Sequence, residues 1–87
     1  MTPSVVLYGR EGCCLCDDAR EVLLRAQGEF GFDLQERDIE DDDALLREYL
    51  ERIPVVTIDG ALVFELFVDE AELFGALARF QSPEPHQ

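Results

Sequence analysis

The chain is short of positive charge and has no lysine. Its seven basic residues are all arginine, against 20 acidic residues, for a net charge of −13 over 87 residues. A surface this negative repels nucleic acid and anionic lipid, so neither is expected as a partner. The acidic excess reads first as solubility and second as a filter that favours basic partners. No apolar run approaches the roughly 18 residues that span a bilayer. Met1-Thr2-Pro3-Ser4 shows no positive region followed by a long apolar one, so no secretory signal is read and a cytoplasmic location is expected. There is no internal repeat and no second domain. Residues 1–81 read as one small globular domain with a modest core, and Ser82–Gln87 as a frayed polar tail containing the only histidine, His86. A monomer is expected. Cysteine is missing everywhere except Cys13, Cys14 and Cys16. Such a cluster makes a poor disulfide framework but a good catalytic or metal-binding group.

That cluster lies within Tyr8-Gly9-Arg10-Glu11-Gly12-Cys13-Cys14-Leu15-Cys16-Asp17-Asp18. The apolar run before it, Ser4 to Tyr8, predicts a strand covered on both faces. Gly9 and Gly12 loosen the backbone after it. From Cys14 onward Ala19, Val22, Leu23 and Ala26 recur at three- and four-residue spacing, which predicts an amphipathic helix, with Gly28 placed to end it. A Cys-x-x-Cys where a strand turns into a helix points to thiol–disulfide exchange. The alternatives are a structural bridge, which closes too small a loop to stabilise much, and zinc, which needs about four ligands.

Phe32–Ile39 predicts a second strand, toward an edge of the sheet. Glu40-Asp41-Asp42-Asp43 suits a helix start, since acidic groups there oppose the positive end of the helix dipole, and Leu45, Leu46, Tyr49 and Leu50 follow at helical spacing. Pro54 belongs at the first position of a strand, because it donates no ladder hydrogen bond. Asp59-Gly60 turns Val55–Ile58 back into Ala61–Phe64 as a hairpin. Asp69 caps a last helix, with Glu72 three residues on and Leu73, Phe74, Leu77 and Phe80 as its buried face. The order β-α-β-α-β-β-α predicts an α/β fold. Its first two strands run parallel through a right-handed crossover, and a four-stranded mixed sheet is flanked by helices.

With Ile53-Pro54-Val55 and the Asp59-Gly60 turn in register with the cysteine stretch, the chain resembles the glutaredoxins of the thioredoxin-fold superfamily. It is most similar to the short bacterial members with Cys-x-Leu-Cys, and the resemblance covers Ser4 to Phe80. It implies an enzyme, a dithiol thiol–disulfide oxidoreductase. Cys13 attacks a substrate disulfide as a thiolate favoured by the helix N-terminus, and Cys16 resolves the mixed disulfide, closing a redox-active Cys13–Cys16 bridge. Cys14 occupies the variable middle position. It reads as a small residue filling the first turn, or as a competing resolving thiol.

The resemblance also implies a cis bond before Pro54 and pairing of the Ile53 backbone with bound substrate. Arg10 stands where many glutaredoxins carry a lysine that helps bind glutathione; otherwise it is a loop residue paired with Glu11. Asp69 caps the helix whose N-terminus faces that ligand. Val68 replaces the usual hydroxyl, a single Gly60 stands where the family has two glycines, and Glu65 adds negative charge. Glutathione is therefore disfavoured as co-substrate, and no bound cofactor or metal is expected. The implied partners are a protein or low-molecular-weight disulfide and a reductant of the glutathione or thioredoxin-reductase type. The alternative is a non-catalytic binding module or an electron carrier dedicated to one protein.

Overall fold

The structure, a computed structural model, describes residues 3–81. The side chain of Phe80 and the tail at 82–87, on which expectations were placed above, lie outside the described residues. In chain order the elements are β1 (Ser4–Gly9), α1 (Cys14–Phe30), β2 (Asp33–Asp38), a 3-10 turn (Ile39–Asp41), α2 (Asp43–Tyr49), β3 (Val55–Ile58), β4 (Ala61–Glu65) and α3 (Glu70–Gln81). The strands lie in the order β2-β1-β3-β4, with β1 and β2 parallel and the other two pairings antiparallel. This is the mixed four-stranded α/β architecture expected, with β2 at an edge.

Side chains alternate across a strand, and that decides which helix meets which face. Val5 and Leu7 of β1, beside Ile58 and Val56 of β3, point toward α1 and α3. There they meet Ala19, Leu23 and Ala26 of α1 and Leu73, Ala76 and Leu77 of α3 in one continuous core. Truncating a fully buried leucine here, such as Leu23, costs about 2–5 kcal/mol through lost burial and the cavity left behind. On the other face Tyr8 meets the ring of Tyr49 from α2, with centroids 5.1 Å apart. α2 itself buries no residue completely, and Leu50 just beyond it is 42% exposed. Ile39, placed by the sequence at the end of the second strand, is fully buried in the 3-10 turn instead.

Local chemistry closes the elements. Asp42 accepts from the N–H groups of Ala44 and Leu45 and so caps α2, and Asp69 accepts from Glu72 N at 3.0 Å to cap α3. Asp59 and Gly60 both have positive φ, the backbone that suits a tight hairpin. The Asp59 carboxylate accepts from Ser4 N and its N–H donates to Ser4 O, which pins the hairpin tip to the start of β1. Within the hairpin, Thr57 faces Leu62 and Val56 faces Phe64, so Val63 is an extra residue bulged out of the ladder.

One boundary corrects the sequence reading. α1 does not end at Gly28 but runs to Phe30, and Gly31, at φ 68°, is the cap. Gly31 N closes on Gln27 O at 2.8 Å, and the Gln27 side chain donates to Phe32 O at 2.7 Å. The added turn also brings Phe30 edge-on to Phe74 of α3, which gives those three residues a packing reason to stay helical. The two glycines therefore respond oppositely to a methyl group. A Cβ at Gly28 meets nothing within 4 Å. Gly28→Ala should stabilise by roughly 0.5–1 kcal/mol, whereas Gly31→Ala, forced into the left-handed region, should destabilise by about 1 kcal/mol. Thermal melts should separate the two variants to either side of wild type, each by a few degrees (roughly 4–8 °C per kcal/mol).

Candidate functional site

The site is built at one end of the sheet. Gly9, the last residue of β1, pairs with Asp38 of β2; Tyr8 pairs with Val55 and Val55 with Glu65. The parallel and antiparallel registers thus bring Asp38, the cysteine loop, Pro54 and Leu66 to the same end. The loop turns through a bond from Cys13 N to Arg10 O, and α1 begins at Cys14. Cys13 is the N-cap. Its sulfur accepts the backbone N–H of Cys16 at 3.2 Å, satisfying one of the donors that a helix start leaves orphaned.

Cys13 and Cys16 are joined as a disulfide, with Cα atoms 5.2 Å apart. Cys13 is half-buried and Cys16 only 3% exposed, so of the bonded pair Cys13 is the more accessible to a reagent from solvent. Cys14 is a free, exposed thiol.

The Ile53–Pro54 peptide bond is cis, and Pro54 is buried at the threshold of β3. The segment is held by Tyr49, Leu66 and Arg52; the sequence reading placed Tyr49 only on a helix face and gave Arg52 no role. Tyr49 O accepts from both Arg52 N and Ile53 N, while Leu66 N donates to Arg52 O and Pro54 O, both at 2.9 Å. The Arg52 guanidinium lies over the Tyr49 ring and pairs with Glu48 of α2 and Glu65 of β4. Its pKa is raised, chiefly by the hydrogen bond it donates to Glu65. Glu65 is therefore not a loose negative charge at the site; it is half of a clamp. The Glu48–Arg52 spacing of four residues was a readable signal. The reach to Glu65 was not.

Arg10 forms an ion pair with Glu40 at 2.8 Å, rather than with its neighbour Glu11. It is one of three arginines, with Arg20 and Arg37, that line an open groove of about 580 Å³ between α1 and the ends of β1 and β2. Cys16 forms part of the groove wall. Arg20 bonds Glu36 at 2.8 Å and Asp17 at 3.1 Å, and its pKa is raised, first by Glu36. Asp17 thus has a cation as its partner next to the cysteines. Asp69 sits at the start of α3 as its cap. Ahead of it, Val68 is buried, and Leu66 and Phe67 are exposed by 52% and 64%. Leu66 also holds a left-handed backbone, at φ 71°.

Comparison with known proteins places this geometry. The sequence profile of the Glutaredoxin-like domain (DUF836) matches residues 4–78. The chain belongs to that family. The glutaredoxin-like chain is 35% identical to protein Rv0508 of Mycobacterium tuberculosis, over 93% of its own length and 91% of that relative. The solution structure of protein Ne2328 from Nitrosomonas europaea superposes with a TM-score of 0.76 at 31% identity, covering 87% of this chain and 91% of that one. A thioredoxin mutant from Halobacterium salinarum matches at a TM-score of 0.73 and 18% identity, over 95% of this chain and 78% of that one, which shows a shared thioredoxin fold. Neighbouring cysteines in a chain of this glutaredoxin-like family point to a redox-type role.

The pairing has a direct chemical check. Alkylation of the oxidised, unfolded protein with a maleimide should label one cysteine, Cys14, and prior reduction should raise the count to three. Label on Cys13 or Cys16 before reduction would contradict the arrangement.

Proposed function

We propose that the protein is a dithiol thiol–disulfide oxidoreductase. The observation that carries this reading is that the Cys13 sulfur caps α1 while bonded to a buried partner sulfur, that of Cys16. In the reduced protein the Cys16 N–H and the aligned peptide dipoles of α1 favour a thiolate at Cys13. That thiolate attacks one sulfur of a client disulfide. The client S–S bond breaks, and the departing thiolate takes a proton from solvent. Cys16 then loses its proton to solvent and attacks Cys13 Sγ as a thiolate, and the second client sulfur leaves as a thiolate that solvent protonates. Two electrons pass to the client, and the protein is left with the Cys13–Cys16 disulfide, which an external dithiol or thiol reductant reopens.

Beside this chemistry, Ile53 and Pro54 offer backbone for an extended client segment. The Ile53 N–H already donates to Tyr49 O, so its carbonyl is the group we assign to pairing with the client. Arg10 meets a client carboxylate by exchanging or sharing Glu40.

A second reading is an electron carrier dedicated to one protein. It is favoured by the residues ahead of α3, where Val68 is buried and offers no hydroxyl and Leu66 and Phe67 present apolar surface to solvent. Those residues suit a protein surface better than the charged tripeptide glutathione, and the net charge of −13 favours a basic partner.

Reduction of a small mixed disulfide, coupled in parallel to the glutathione and thioredoxin-reductase systems, tests both. The oxidoreductase reading expects turnover with at least one system, lost by 100-fold or more in Cys13→Ser and unaffected within about twofold in Cys14→Ser. Activity that survives Cys13→Ser overturns it, and a chain that couples to neither system favours the dedicated carrier.

A further inference from the structure

The sulfur of Cys16 lies against the backbone of Gly9. A Cβ added to Gly9 comes to 2.8 Å from Cys16 Sγ and 3.1 Å from Cys16 Cβ, and apart from its own chain neighbours it meets no other atom within 4 Å. Real Cβ atoms essentially never approach as close as the first of these distances. Gly9 is also an ordinary strand residue, paired with Asp38, and it is not among the glycines with positive φ. Neither the turn nor the backbone conformation requires glycine there. What the missing methyl group makes room for is the Cys16 side chain, and its buried sulfur most closely.

We propose that Gly9 is a positioning residue for Cys16, leaving space for the side-chain rotamer that reaches Cys13 and thereby setting the balance between disulfide and dithiol. This rests on the redox reading above. A disulfide ties the Cys16 side chain to one rotamer, whereas a free thiol chooses among staggered wells. An alanine at position 9 crowds Cys16 Cβ in either redox state, but its severe contact is with the tethered sulfur of the oxidised form, and in the reduced form rotation about χ1 relieves that one. The methyl group shifts the equilibrium toward the dithiol. It also slows the resolving step, in which Cys16 Sγ must take the same rotamer to attack Cys13 Sγ. The first attack, by Cys13 on the client, does not involve that rotamer and is unchanged. Oxidation of the pair transfers two electrons and two protons to the disulfide of the surrounding redox buffer.

The test equilibrates the full chain with mixtures of reduced and oxidised glutathione, whose potential lies in the range of such dithiol pairs, and reads the Cys13–Cys16 disulfide fraction by alkylation and mass. Gly9→Ala should shift the equilibrium at least tenfold toward the dithiol, which corresponds to about 30 mV for this two-electron couple. A second readout compares thermal stability in a double-mutant cycle. Gly9→Ala should lower the melting temperature of the oxidised protein clearly, and should have much less effect in a Cys16→Ala background, where the sulfur is gone. An unchanged equilibrium overturns the proposal, as does equal destabilisation in both backgrounds, which marks Gly9 as a general packing position. A wild-type chain that forms no reversible Cys13–Cys16 disulfide in this buffer sinks the redox reading itself, and with it this proposal. A reversible wild-type disulfide with no shift in Gly9→Ala sinks the proposal alone.

Discussion

The hydrogen bond from Cys16 N to the sulfur of Cys13 ties the chemistry of this protein to its fold. A helix start leaves four N–H groups without partners, and most proteins satisfy one of them with a serine, threonine or aspartate. Here a sulfur does so. A thiol or disulfide sulfur accepts weakly, whereas a thiolate accepts strongly, so the state that gains most from the cap is the reduced, charged one. The helix carrying this cap is anchored along its length by Ala19, Leu23 and Ala26 against the sheet, so the capping sulfur is mounted on a rigid element.

Around this cap the few cations are used for placement. Arg10 ties the cysteine loop to the 3-10 turn, Arg20 ties α1 to β2, Arg25 ties α1 to α3, and Arg52 ties α2 to β4 across the Pro54 segment. All of these pairs are substantially solvent-exposed, and exposed pairs contribute only about 0–1 kcal/mol each. Their value is geometric. In a chain with 20 carboxylates and seven arginines, each cross-element pair also relieves repulsion that would otherwise push neighbouring elements apart. The Arg52 clamp matters most for the site, because it fixes the Pro54 segment, at the same end of the sheet as the cysteines, from both flanking elements.

What was legible in the sequence were features whose cause is local. The β1 run, the Asp59-Gly60 turn, the Asp42 and Asp69 caps and the place of Pro54 all follow from the preferences of a few adjacent residues, and the element order then fixes the topology. What was not legible depends on contacts between distant residues. Gly28 and Gly31 are equally plausible helix ends in one dimension, and the choice is made by Phe30 packing on Phe74 and by Gln27 bonding across the junction. Ile39 extends a strand-like pattern, yet burial draws it into a tight turn. Arg10 has an acidic neighbour in sequence but a different partner in space. Gly9 reads as a loosened joint, whereas in three dimensions it is the floor under a sulfur seven residues away.

The central claim is that Cys13 is the sulfur that first bonds to the client. A rapid-quench single turnover tests it most directly. Reduced protein is mixed with bis(2-hydroxyethyl) disulfide, trapped by acid at successive times and mapped by peptide mass spectrometry. The account predicts a mixed disulfide on Cys13 at the earliest times, decaying as the Cys13–Cys16 bridge appears. A first adduct on Cys14 or Cys16, or bridge formation with no Cys13 adduct preceding it at any time, would contradict the account.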